Sequence, residues 1–237
     1  MPLLLALAVL LPFRASSQNT ALVPVPRDFP TNWIARHEEY VTVAKQGGIN
    51  LLFIGDSITD GWRWGNGGLQ IWPRFYASRH AANFGIGWDR IQNVLWRVEN
   101  GELENIRPKV VVLLIGTNNT GNEDDGKPRN TTPEIIAGVS NLVAQIRFRL
   151  PQSKILLLGL FPRGEKPDPI RDQVRAVNLG LACLADGQIR FLDLGGKFLA
   201  PDGTLSRDLF PDLLHPNARG YQIWAEAMEP TLAGLLK

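Results

Sequence analysis

The chain predicts a three-layer α/β/α sandwich on a mostly parallel sheet of about five strands. Three observations carry this. Short apolar runs of strand length (51–54, 81–84, 110–115, 155–160 and 189–193) alternate with longer helical stretches. Three of the runs break directly into turn residues, as Leu51-Leu52-Phe53-Ile54 does into Gly55-Asp56-Ser57. And 237 residues, 44% hydrophobic and 20% charged, suffice for one α/β domain with a sizeable core. Strands alternating with helices place helices on both faces through right-handed crossovers.

In chain order, residues 2–13 are almost wholly apolar and Ala15-Ser16-Ser17 offers small residues, which reads as an export signal cleaved before Gln18. Residues 18–30 form a Pro-rich extended lead-in, and 31–237 the domain itself. Thr31 caps a helix through about Gln46, closed by Gly47-Gly48. After the first strand, Trp62, Trp64 and three glycines form a loop expected to overhang the strand end. A short helix over 71–78 leads to the second strand and the turn Gly85-Ile86-Gly87-Trp88-Asp89. Ile91, Val94, Leu95 and Val98 then space an amphipathic helix from Asp89 to about Glu99. The most apolar strand, 110–115, ends in Gly116-Thr117-Asn118-Asn119. Thr132-Pro133-Glu134 opens a helix with Thr132 as its cap and Pro133 at its first position, running to about Leu150. A strand, a Pro-rich loop, a helix over 170–185 and the last strand follow. Asp212 and His215 stand just before a closing helix over 217–236.

Composition narrows the function classes. The 25 basic and 23 acidic residues are interspersed, without the basic stripe that binds phosphate backbones, so nucleic acid is not an expected partner. One cysteine, Cys183, expected on a buried helix face, excludes an internal disulfide, and three histidines with it give no zinc-ligand spacing. No metal or cofactor is called for. The apolar N-terminal run is too short to span a bilayer. A homodimer is left open.

Ser57 is the candidate nucleophile, because chemistry collects at the carboxyl ends of parallel strands. Gly-Asp-Ser alone is a common turn, and it lacks the Gly-x-Ser-x-Gly elbow. The case rests on Asp212-x-x-His215: three residues apart in one turn, Asp212 can orient one ring nitrogen of His215 while the other faces Ser57. A serine hydroxyl needs such a base, and its oxyanion needs donors, here the Ser57 N–H, the Trp88 N–H and the Asn118 amide. Asp193 is the rival carboxylate, and Asp56 reads as a turn residue. Trp62, Trp64 and Trp88 are candidate substrate-binding rings.

Gly55-Asp56-Ser57, Asn83-Phe84-Gly85-Ile86-Gly87, Gly116-Thr117-Asn118-Asn119 and Asp212-x-x-His215 resemble, in order and spacing, the four motif blocks of the SGNH (GDSL-type) hydrolases. Val94-Leu95-Trp96-Arg97, Asn100-Gly101-Glu102-Leu103-Glu104 and Pro162-Arg163-Gly164-Glu165 further resemble the catalytic subunits of platelet-activating-factor acetylhydrolases. The resemblance implies a flavodoxin-like fold and hydrolysis of short acyl esters through an acyl-enzyme, with Ser57 as nucleophile, His215 as base, Asp212 as its orienter and Asn118 as an oxyanion donor. It also places a glycine where this chain has Trp88. Three readings follow: an esterase for acetylated carbohydrate or another small ester, a phospholipid acetylhydrolase, or a noncatalytic binding protein with Trp88 filling the oxyanion hole.

Overall fold

The computed structural model describes residues 18–29 and 32–237. The export signal and the Thr31 cap fall outside them. Twelve elements are α1 (Trp33–Gln46), β1 (Leu51–Gly55), α2 (Ser57–Asp60), α3 (Trp72–Phe75), β2 (Ala81–Gly85), α4 (Ile91–Glu99), β3 (Val110–Leu114), α5 (Thr132–Arg149), β4 (Lys154–Leu158), α6 (Pro169–Ala182), β5 (Ile189–Leu192) and α7 (Ala218–Leu236), joined by short 3₁₀ turns. The five strands are all parallel, in the order β2-β1-β3-β4-β5. β1 and β3 are buried at every position, which is why they read as unbroken apolar runs.

Because β2 lies on one side of β1 and β3 on the other, the strand order reverses between β1 and β3. Open parallel sheets leave a crevice at this point, beyond the strand carboxyl ends. Helices α4, α5 and α6 pack in series on one face. Right-handed crossovers put the β1–β2 connection on the other face, together with α7. There Phe53, Trp62, Trp72, Tyr76, Tyr221 and Trp224 form one aromatic block.

Two sequence expectations change here. The loop after α2 does not overhang the strand end at Trp62: that ring is 1% exposed and lies inside the aromatic block, so it is a core residue and not a substrate-binding one. Cys183 is exposed at the end of α6 rather than buried. Among the described residues no helix is long and apolar enough to cross a membrane.

Candidate active site

Gly55 ends β1 and must be glycine, since a Cβ there would clash with the Thr59 side chain and the Leu114 carbonyl. This close approach lets the chain turn at once into α2, whose first residue is Ser57. Asp56 caps it, its Oδ1 accepting from the Ile58 N–H at 2.9 Å. Tyr221 of α7 donates to the Ile58 carbonyl at 2.6 Å and ties the closing helix to the same turn.

His215 sits between Ser57 and Asp212. Its Nε2 is 2.8 Å from Ser57 Oγ, and its Nδ1 is 2.6 Å from Asp212 Oδ2. The other Asp212 oxygen accepts the backbone N–H groups of His215 (2.7 Å) and Leu214 (3.0 Å), so the carboxylate is fixed by its own turn. Burial works against the Asp212 charge, but the His215 side chain and these N–H groups outweigh it and hold the carboxyl below its ordinary pKa. Asp193 is engaged elsewhere, with Asn178 and the Gly195 N–H.

The turn after β2 arrives beside this pair. A methyl built on Gly87 would touch Ser57 Cβ at 3.9 Å. Residues 86–89 form a turn closed by the Asp89 N–H to the Ile86 carbonyl at 3.3 Å, with Trp88 at φ 68° where such a turn needs positive φ. For a non-glycine residue this costs about 1–2 kcal/mol. Trp88 is 64% exposed, whereas Trp64 is half-buried against His215, ring centroids 5.3 Å apart.

Asn118, after β3, donates to the Asp89 carbonyl at 2.9 Å through Nδ2, which retains a second N–H. Among the described residues, neither the Ser57 N–H nor the Trp88 N–H has a hydrogen-bond acceptor. The three expected oxyanion donors thus stand on the three loops that meet at the sheet's switch point.

Sequence reasoning missed the support beneath these loops. Arg97 is fully buried and bonds Asp89 (2.9 Å), Glu102 (2.6 Å) and the carbonyls of Phe84 (3.0 Å) and Gly55 (3.3 Å), so one guanidinium ties the first two junctions together. His37 and Trp33 complete the network through Glu102 and Asp89. The available signal was an arginine three residues after Val94, flanking the apolar stripe of α4. Asn119 likewise holds α4 in place, accepting the Ile91 N–H and donating to Gln92 and Asn130. Asp56 keeps its turn role through the Ile58 N–H, while burial pushes its pKa up to about 7 and its Oδ2 has no partner.

A serine, a histidine and a carboxylate in hydrogen-bonded series, with unpaired N–H groups beside them, are the kinds of group that acyl transfer uses. The chain belongs to the GDSL-like lipase/acylhydrolase family, whose model matches residues 53–223, and it is a carboxylic ester hydrolase. It is similar to the human platelet-activating factor acetylhydrolase IB subunit alpha2, 39% identical over 210 residues that cover 86% of this chain and 85% of that one. The bovine subunit alpha1 is 37% identical over 227 residues, covering 94% and 93%. Among solved structures, an acetyl xylan esterase superposes with a TM-score of 0.64 at 23% identity, over 78% of this chain and all of the other, a likeness of fold alone.

Proposed function

We propose that the protein is a serine esterase that removes short acyl groups, acetyl above all, from a small polyhydroxylated ester. The continuous chain Asp212–His215–Ser57, at 2.6 and 2.8 Å, carries this reading. Ser57 Oγ attacks the ester carbonyl while its proton passes to His215 Nε2. The carbonyl oxygen takes up charge facing the Ser57 and Trp88 N–H groups and the Asn118 amide. The alcohol leaves with the proton from His215, and a water, deprotonated by His215 in turn, releases acetate from the acyl-enzyme. Each oxyanion donor is worth about 3 kcal/mol of barrier.

The names of the acetylhydrolase relatives support an acetyl leaving from oxygen. Exposed Trp88 and half-buried Trp64 beside His215 support a ring-bearing alcohol, since flat apolar faces suit sugar rings. The exposure of the Trp88 ring favours an active enzyme over a plugged scaffold. Phospholipid acetyl hydrolysis is the second reading, favoured by the same relatives' names. The apolar segment 2–13 supports export, with a mature chain beginning at Gln18; an intact Met1 by mass spectrometry would contradict it.

The deciding experiment is hydrolysis of p-nitrophenyl acetate by wild type and Ser57→Ala. Turnover lost in the variant, with acetyl preferred over butyryl and octanoyl esters, supports the proposal. Absence of turnover in the wild type overturns it, and faster cleavage of longer acyl chains overturns the acetyl assignment.

A further inference from the structure

Beside the oxyanion donors lies a small cleft of about 290 Å³, lined by Arg27, Trp88, Arg90, Gln92, Asn93, Asn118 and Arg129, with no aliphatic residue among them. Its guanidinium groups grip the catalytic loops by their carbonyls. Arg27 donates to Gly87 O at 3.1 Å, and Arg129 Nη1 lies 3.5 Å from Asn118 O. Just behind, Arg163 donates to Thr117 O at 3.2 Å.

The cations here outnumber the anions that hold them. Arg90 takes both oxygens of Glu123, leaving Arg129 Nε 3.5 Å from the same carboxylate without a hydrogen bond. Asp89, which lies 3.5 Å from Arg27, is already bonded by Arg97 and Trp33. Burial first, and then the charge of Arg129, pushes the Arg163 pKa down, with Asp168 and Asp56 opposing. The side chains of Arg27, Arg90 and Arg129 are only 17%, 28% and 26% exposed, so their charge is incompletely screened by water. A cleft with surplus, partly desolvated guanidinium donors suits an oxyanion, which they can bind bidentately.

We propose that this cleft is an anion subsite of the esterase, holding a carboxylate on a sugar ring stacked against Trp88, so that the substrate is an acetylated acidic saccharide. The inference rests on the esterase reading for its substrate, but not for its binding. A uronate supplies all three features the cleft offers partners for: a flat ring for Trp88, hydroxyls for Gln92 and Asn118, and a planar carboxylate for the arginines. An acyl or alkyl chain finds no wall of its own here.

The test is calorimetric binding to Ser57→Ala, which cannot turn substrate over. Trigalacturonate and xylotriose serve as matched acidic and neutral probes, and glycerophosphocholine as the phosphate probe. Trigalacturonate should bind at least tenfold more tightly than xylotriose at 50 mM salt, and the preference should shrink severalfold at 500 mM as screening grows. Adding Arg129→Gln should cut the preference at least fivefold and Arg129→Lys should restore part of it. Equal affinity for the two sugars, or a preference indifferent to salt, overturns the subsite whatever the Arg129 variants do. Tighter binding of glycerophosphocholine than of trigalacturonate overturns the saccharide in favour of a phosphodiester. Acidic preference in a protein that never hydrolyses p-nitrophenyl acetate would leave the subsite standing and remove the esterase.

Discussion

The segment after β1 and the turn after β2 each bring a tryptophan to the carboxyl edge of the sheet, with opposite outcomes. Trp62 follows Ser57 by five residues and turns under it, fully buried among Phe53, Tyr76, Tyr221 and Trp224. Trp88 is held at positive φ with its ring in solvent. The first region has a helix, α7, to cover it; nothing among the described residues covers the second. Rigid packing below the serine and an open aromatic face above it divide the site into a floor that positions and a rim that selects. Preorganised catalytic groups need the former.

If that division is right, the largest effects belong to the groups between floor and rim. Ser57→Ala or His215→Ala should lower kcat by about 10⁵-fold or more with the melting temperature unchanged, because the two act as one unit on a single proton. Activity within tenfold of wild type in either would remove the assignment. Asp212→Asn should cost about 10²–10⁴-fold, since His215 then favours the wrong tautomer, and a pH–rate profile would show the loss to be in kcat.

The floor should then fail as a core fails. Trp62→Ala should destabilise by about 3–5 kcal/mol, seen as a lowered midpoint in urea unfolding. A stable Trp62→Ala with only a raised KM would abolish the distinction between the two regions.

Asp56 sharpens it next. Its folded pKa of about 7 lies above the ordinary 3.8, so the folded state binds a proton that the unfolded chain releases between those values. The stability Asp56 contributes is fully present below about pH 4 and lost as pH rises through 7. Over that range the difference is about 4 kcal/mol at most. Asp56→Asn should flatten this slope, gaining on wild type in thermal melts at pH 8 and little at pH 4.

The smallest effect falls on the rim. Trp88→Gly relieves the positive φ but frees the unfolded chain, so stability should stay within about 1 kcal/mol of wild type. KM for an acetylated saccharide should rise while hydrolysis of p-nitrophenyl acetate is kept. Loss of all hydrolysis in a folded Trp88→Gly would mean that the ring itself positions the ester.

Much of the fold was legible in the chain, because parallel strands buried on both faces are written as apolar runs and their ends as Gly and Asx turns. The parallel sheet follows from that pattern, and so do Ser57, Trp88 and Asn118 at strand ends, since local sequence fixes where a strand stops. The spacing Asp212-x-x-His215 likewise carries its own hydrogen bond, within one turn. Helix starts were less legible: α5 takes Thr131, not Thr132, as its cap, a choice made by which hydroxyl reaches the Glu134 N–H.

What tertiary structure alone decided is which side chains share an environment. Trp62 and Trp88 stand in similar Gly-rich stretches, and only the arrival of α7, some 160 residues after Trp62, makes one of them core. The same holds for Arg97, whose carboxylate and carbonyl partners come from β1, β2 and the loops after β2 and α4. The arginines at 27, 90, 129 and 163 are scattered along a nearly neutral sequence and become a cluster only where the sheet's switch point gathers their loops. Sequence sets local backbone preference and the polarity of each residue; burial and charge density are sums over neighbours distant in the chain, and exist only once it has folded.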